Sequence, residues 1–331
     1  MTGQWTSRSR AKITALGTYV PQKVLSNDDL EKLVDTSNEW IVQRTGVRER
    51  RIAADDEFTS DLCIKAIEDM LRRYPISLHD VDLILVASIT PDHTFPSVAS
   101  IIQDHFDIPA TAALDISAAC AGFVSALQLA DGMITSGMHK KVLVLGGETL
   151  SKVTDYSDRS TCILFGDGAG AVLVEHANDG AFIRSSSVTC GKAGIHLYRS
   201  GLSPRIANQP IAANGYIVQN GKEVFKLAVN TLVREIPALL NASGHALADV
   251  DWFVPHSANL RIVEAVCEKL HFPFERTLFS AEYYGNTSSA SIPLAIRMGL
   301  DRGAIRQGDT LLLAGFGGGF VYASTLLRWT V

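Results

Sequence analysis

Four short stretches hold the residues able to do chemistry. "DISAACAGF" (115–123) sets one thiol, Cys120, among small side chains, between a strand-like run at 111–116 and a helical apolar pattern from Phe123. A thiol near a helix start sits where unpaired N–H groups favour negative charge, and the thiolate is the nucleophile. The small neighbours leave room for a substrate, as at strand-to-helix nucleophile turns. "VPHSANLRI" (254–262) and "YGNTSSASIP" (284–293) place His256 and Asn286 in the same way, after a strand or turn and before a helical pattern. In open α/β sheets, sites gather at such strand ends. "GFGGGF" (315–320) adds a glycine run whose backbone N–H groups can approach a ligand closely and hold an oxyanion. Each residue also has a plainer reading: Cys120 as a small buried hydrophobe, His256 as a turn cap, Asn286 as a helix cap.

The elements that must position these residues repeat. SLHDVDLILVAS (77–88) matches ALADVDWFVPHS (246–257), and KKVLVLGG (140–147) matches the strand from Gly308, both at a separation of 169 residues. Two matches at one separation point to a duplicated α/β unit. Strands are expected near 12–16, 82–88, 111–116, 141–146 and 169–174, then 181–189, 251–254, 311–314 and 321–328. Helices are expected near 59–72, 96–105 and 121–136, then 222–240, 259–270 and 288–302. Strands alternating with helices predict sheets covered on both faces. No linker-like stretch separates the halves, so they are expected to pack as one body across a cleft.

Composition narrows the function. A chain of 331 residues with 47% hydrophobic content can bury a large core, and a net charge of −5 with interspersed signs gives no footprint for nucleic acid. The five cysteines include no C-x-x-C pair, which fits neither a disulfide framework nor a zinc ribbon. MTGQWTSRSRAK has no apolar stretch behind its basic residues, and no run reaches the ~18 apolar residues of a membrane span. The expectation is a soluble cytoplasmic protein with its thiols reduced. GFGGGF is not followed by Lys-Ser/Thr, which argues against a phosphate-cradling loop, and "GDGAGA" (166–171) precedes a strand and reads as structural.

Taken together, the chain resembles the β-ketoacyl-acyl carrier protein synthase III family of the thiolase-like superfamily. The resemblance runs from ITALGTYVPQKVLSNDDL to GFGGGFVYASTLLRW and includes SNEWIVQRTGVRERR (37–51). It implies an α/β fold of thiolase-like duplicated halves forming a layered αβαβα body. Residues 1–175 would carry the cysteine, and residues 176–331 the histidine and asparagine. It implies that an acyl-coenzyme A (acyl-CoA) acylates Cys120, and that decarboxylative condensation with malonyl-acyl carrier protein then yields 3-oxoacyl-acyl carrier protein. His256 and Asn286 would stabilise the enolate, and the Cys120 and Gly318 N–H groups would form the oxyanion hole. Both reactants are substrates; no cofactor and no metal are implied.

Other positions carry over from the same resemblance. Trp40 and Arg159 match an adenine sandwich, Arg44 a phosphate contact, and Gly221 and Asn259 the pantetheine channel. Ser257, Ala258, Asn259, Leu260 and Arg261 match the segment that binds acyl carrier protein, with Arg261 as its charge contact. That acidic partner needs a local basic patch. Where relatives often show two lysines, this chain has Glu268-Lys269, and Ser257 stands where many carry Gln. A homodimer is implied, with Phe95 reaching into the partner's acyl pocket. Neither nucleic acid nor membrane is an expected partner. The small residues around Cys120 and the pattern of SKVTDYSDRSTCILFGDGAGA lean toward short branched primers. Polyketide or quinolone-type starter enzymes are the nearest alternative, and Glu148 in GGETL is the general-base candidate of a hydroxymethylglutaryl-type synthase. A papain-like thiol hydrolase and a non-catalytic thiol-bearing scaffold are the alternatives from other classes.

Overall fold

A computed structural model describes residues 8–331; residues 1–7, the start of the MTGQWTSRSRAK stretch, lie outside the described residues. The first half opens with β1 (Ala11–Tyr19), β2 (Lys23–Ser26), α1 (Asn27–Glu31), α2 (Asn38–Thr45) and β3 (Glu49–Ile52). It continues with α3 (Thr59–Arg73), β4 (Leu83–Ala87), α4 (Val98–His105), β5 (Ala112–Ile116), α5 (Gly122–Thr135), β6 (Lys141–Glu148), α6 (Arg159–Cys162) and β7 (Gly168–His176). Strands β4 and β6 are buried at every position, because helices cover both faces of their sheet. That sheet runs β1-β7-β6-β4-β5, with β4 parallel to both β5 and β6 and the remaining pairs antiparallel.

The second half holds β8 (Phe182–Thr189), the short strands β9 (Leu197–Arg199), β10 (Arg205–Ile206), β11 (Gln209–Pro210) and β12 (Ile217–Gln219), and α7 (Gly221–Ser243). Then come β13 (Trp252–Pro255), α8 (Leu260–Leu270), α9 (Ala281–Tyr284), α10 (Ser291–Asp301), β14 (Thr310–Gly317) and β15 (Val321–Arg328). The second sheet is β13-β14-β15-β8, with β13 parallel to β14. A fifth strand equivalent to β5 shrinks to one bridge between Phe253 and Thr277, next to Pro273 and the 3-10 turn Phe274–Arg276.

The layers follow from which faces are apolar. Phe123, Val124 and Leu127 of α5 pack with Ile292, Ala295 and Ile296 of α10 in one core. Val142 and Val144 close it from the first sheet, Leu311 and Leu313 from the second. Helices α3 and α4 cover the outer face of the first sheet, and α7 and α8 that of the second. The order is therefore helix, sheet, helix, sheet, helix, as expected.

The 169-residue repeat reaches further than the quoted strands. Helices α5 and α10 start at Gly122 and Ser291, and each follows a 3-10 turn, Ala119–Ala121 and Ser288–Ala290. Both turns open on a non-glycine residue in the left-handed region, Ala119 and Ser288, each with φ 47°. Such a residue costs on the order of 1–3 kcal/mol and persists where its surroundings hold it. The two turns sit against each other at the carboxyl ends of the central strands. "GDGAGA" is structural as expected: a Cβ on Gly170 of β7 would lie 2.4 Å from Cγ of Pro293 on α10.

Candidate active site

Cys120, His256 and Asn286 line one cavity of about 1530 Å³. Cys120 is 7% exposed and lies in the Ala119–Ala121 turn, ahead of α5. The sequence reading placed the thiol at a helix start and expected it to ionise readily. Here burial outweighs that placement and pushes the Cys120 thiol up to about 12, with the Glu148 carboxyl adding to the rise and the Ser288 hydroxyl opposing it. The resting group is a thiol, so its proton must go elsewhere when it attacks.

His256 follows β13, and its N–H donates to Ala314 O at 2.8 Å. Its ring is 1% exposed and meets Phe316 edge-to-face at 5.2 Å. Desolvation lowers its pKa to about 3, so the imidazole is neutral. Nδ1 lies 2.7 Å from Ser291 Oγ, which also receives the Ser257 N–H at 3.4 Å. The Ser291 hydroxyl can give its hydrogen to Nδ1, and in that tautomer the ring hydrogen sits on Nε2. Asn286 is 5% exposed, and its Oδ1 accepts the Ser288 N–H at 2.9 Å. Its amide nitrogen is therefore free to donate. Two neutral donors and one thiol thus share one cavity.

The glycine run lies against the Cys120 turn. A Cβ on Gly317 would stand 2.5 Å from Cys120 N, closer than any side chain approaches, and 3.0 Å from Ala119 Cβ. Gly318 follows it and lines the same cavity.

The other expected residues divide between the cavity and its surroundings. Trp40, Arg44, Gly221, Ala258, Asn259 and Arg261 line the cavity. Both Arg159 and Arg44 stack on Trp40, at 5.0 and 5.7 Å from its ring centroid, and Arg159 also donates to Asp35 O at 2.8 Å. With Arg159 closed on the indole, an adenine entering between them must displace it. Asn259 caps α8 by accepting the Arg261 N–H at 2.9 Å. Phe95 is 84% exposed and lies outside its own chain's cavity.

The expected carrier-protein segment needs a correction. Ser257 is fully buried and its Oγ accepts the Ser280 N–H at 3.0 Å, so its side chain cannot meet a partner. Leu260 packs over Gly46, the C-cap of α2, which leaves exposed Arg261 as the prominent surface residue of the five.

Sequence reasoning missed Ser291, which orients His256, and Ser288, which lines the cavity with its hydroxyl unpartnered. The repeat held the signal, since the Ser288–Ala290 turn is the counterpart of the Cys120 turn. Glu148 is fully buried and bonded to Ser88, Ile89, Thr90 and Ser289. It does not line the cavity. Among the described residues, no group of three or more His, Cys, Asp or Glu is placed to hold a metal, and no helix is long and apolar enough to cross a membrane.

Comparison with known proteins places this arrangement among relatives. Residues 114–191 match the family model described as 3-oxoacyl-[acyl-carrier-protein (ACP)] synthase III, and residues 240–329 match the model of that family's C-terminal part. The chain is 53% identical over 324 residues to β-ketoacyl-[acyl-carrier-protein] synthase III 2 of Halalkalibacterium halodurans, covering 98% of each chain. It is 54% identical over 322 residues to the protein of that name from Bacillus subtilis, covering 97% of this chain and 99% of the other. The solved structure of β-ketoacyl-[acyl carrier protein] synthase III from Thermus thermophilus superposes with a TM-score of 0.93 at 44% identity, over 96% of this chain and 99% of that one.

Proposed function

The chain belongs to the 3-oxoacyl-[acyl-carrier-protein] synthase III family, the condensing enzymes that initiate fatty-acid synthesis, and from that premise we propose how its own residues run the reaction. Cys120, in the half spanning residues 1–175, attacks the thioester of an acyl-CoA. The Cys120 and Gly318 N–H groups hold the resulting oxyanion. Residues 176–331 contribute the second step. Malonyl-acyl carrier protein loses carbon dioxide, and the Nε2–H of His256 and the side-chain amide of Asn286 hold the enolate as it attacks the acyl-Cys120 carbonyl. A neutral imidazole suits this role because it donates a hydrogen bond without surrendering a proton.

One observation carries the reading. His256 is tied through Nδ1 to Ser291 and Asn286 through Oδ1 to Ser288, so both present donor nitrogens in the cavity that holds Cys120. A covalent intermediate predicts ping-pong kinetics and separable half-reactions. Intact-mass measurement after mixing with acyl-CoA tests it. Cys120→Ser should form no adduct, whereas His256→Ala and Asn286→Ala should still acylate but condense roughly two to four orders of magnitude more slowly. An adduct in the serine variant, or wild-type condensation in either alanine variant, would sink the assignment.

Trp40, Arg44 and Arg159 at the cavity and its rim suit the nucleotide of CoA, and Arg261 suits the acidic carrier protein. We also propose a homodimer, because the outer edge of β5 is unpaired and both Leu114 and Phe95 are exposed. Short branched primers are proposed over acetyl-CoA. The residues around Cys120 are small, and the relatives from Halalkalibacterium halodurans and Bacillus subtilis bear the second synthase III designation. One added methyl group in an apolar pocket is worth about 1–3 kcal/mol, so the preference should be graded. A higher kcat/KM for acetyl-CoA than for every branched primer in a competition assay would reverse it.

A further inference from the structure

Arg50 of β3 is a cation in the protein interior, without solvent exposure. Its hydrogen bonds end on uncharged oxygens. Nη1 donates to Leu25 O at 3.2 Å and to Asn27 Oδ1 at 2.9 Å. Nη2 donates to the same Asn27 Oδ1 at 3.0 Å and to Ile163 O at 2.7 Å. Nε is buried and makes no hydrogen bond. Burial lowers the Arg50 pKa to about 10, so the group is still charged at neutral pH. Charge-assisted bonds to carbonyls offset only part of the cost of burying a guanidinium. A charge kept at that cost calls for an explanation.

What Arg50 holds leads to Asn286. Residues 163–166 follow α6, and Phe165 pairs with Asn286 in an isolated parallel bridge. Asn286 N donates to Leu164 O at 2.8 Å, and Gly166 N donates to Asn286 O at 3.1 Å. The Asn286 backbone is thus bonded through both its N–H and its C=O to this one segment. Arg50 meets that segment at both ends. Its guanidinium bonds Ile163 O, and its stem lies against the glycines beside the bridge. A Cβ on Gly166 would stand 3.2 Å from Arg50 Cβ, and one on Gly285 only 2.8 Å. Ile163, Leu164 and Phe165 also pack in an apolar cluster with Leu150 and Cys162. Apolar packing is non-directional, so it sets how deep the segment lies. The bond to Ile163 O sets its position along its own length.

We infer that Arg50 is a positioning residue for Asn286: it fixes residues 163–166, and they fix where the Asn286 amide stands in the cavity. This rests on Asn286 holding the enolate. The other side of the guanidinium is anchored on Asn27 of α1, whose Nδ2 donates to Asn38 Oδ1 and Val47 O, both at 3.0 Å. Arg50 therefore braces the Asn286 segment against the α1–β3 region. Cys120 is held elsewhere, in its own turn against Gly317. Loss of the brace should harm enolate formation and spare acylation. Misplacing a reacting group by about 1 Å can cost about 10²-fold in rate.

The test compares wild type, Arg50→Met, Asn286→Ala and the double variant in two assays. One reads carbon dioxide release from malonyl-acyl carrier protein. The other reads Cys120 acylation by saturating isobutyryl-CoA, using rapid-quench intact mass. Methionine keeps much of the apolar stem and removes the donors. Arg50→Met should release carbon dioxide about 10- to 100-fold more slowly, yet acylate within about threefold of wild type. In the Asn286→Ala background the same change should slow release by less than about twofold, because the amide it positions is already gone. A merely structural role would lower release by the same factor in both backgrounds, or lower acylation in parallel. Either result overturns the inference. Arg50→Lys keeps the charge but cannot fork between Asn27 and Ile163, so its loss should be about 3- to 10-fold. Should methionine prevent folding, the lysine variant runs the same cycle and decides. Wild-type release by Asn286→Ala alone would overturn the enolate-holding role of Asn286, and this inference with it.

Discussion

Acidification provides a sharp test of how His256 works. Burial lowers its pKa from 6.5 to about 3. An ordinary histidine would be about three-quarters neutral at pH 7 and about 3% neutral at pH 5, so a donor of that kind would slow roughly 25-fold between those values. His256 should remain neutral over the whole interval. Carbon dioxide release from malonyl-acyl carrier protein should therefore change less than twofold from pH 7 to pH 5. Stability responds in the opposite sense. A base with a depressed folded pKa contributes fully above the unfolded value of about 6.5, and that contribution is lost as pH falls from there toward 3. The loss is about 1.4 kcal/mol per pH unit, or about 2 kcal/mol between pH 7 and pH 5. His256→Ala lacks this dependence, so its stability gap to wild type in urea unfolding should narrow by about that amount. A decarboxylation rate that titrates near pH 6.5, with an unchanged gap, would refute the buried neutral donor.

Three further outcomes follow from the same geometry. Gly317→Ala puts a Cβ 2.5 Å from Cys120 N and must displace the oxyanion-binding turn; acylation in stopped-flow should fall about 10²- to 10³-fold, and a smaller loss would mean the turn yields. Trp40→Ala removes the ring on which Arg44 and Arg159 stack; KM for acyl-CoA should rise roughly tenfold with kcat within twofold, and an unchanged KM would separate this cluster from nucleotide binding. In native protein treated with iodoacetamide, peptide mass mapping should find exposed Cys190 labelled whether or not acyl-CoA is present, and Cys120 labelled only in its absence. Buried Cys63, Cys162 and Cys267 should stay unlabelled, and equal protection of Cys190 would place it in the binding site.

Most of the framework was legible in the chain. The 169-residue repeat, the continuous apolar runs of β4 and β6 and the helical patterns from Phe123 and near 288–302 are local features, set by side-chain periodicity. They were enough to predict paired sheets around a shared helical layer. The placements of Cys120, His256 and Asn286 at element ends were legible for the same reason. The hairpin of β2 and β3, helices α1 and α2, and the short strands β9 to β12 were not anticipated. Their segments are short and mixed in polarity, and their form depends on what they pack against.

Protonation was decided only by tertiary structure. From sequence, Cys120 was a thiol at a helix start, where local dipoles favour the thiolate; burial between two turns reversed that balance. His256 could have been any histidine until the fold removed its water and supplied Ser291. Ser257 belonged to a surface-like motif, yet the packing of α10 against β13 buried it. Glu148 was one acidic residue after a strand until Ser88 and Thr90, from the loop after β4, and Ser289, from the turn before α10, converged on its carboxyl. Periodicity tells which face of an element is apolar. How far a charge is desolvated, and which hydroxyl meets it, depends on chain segments far apart in sequence.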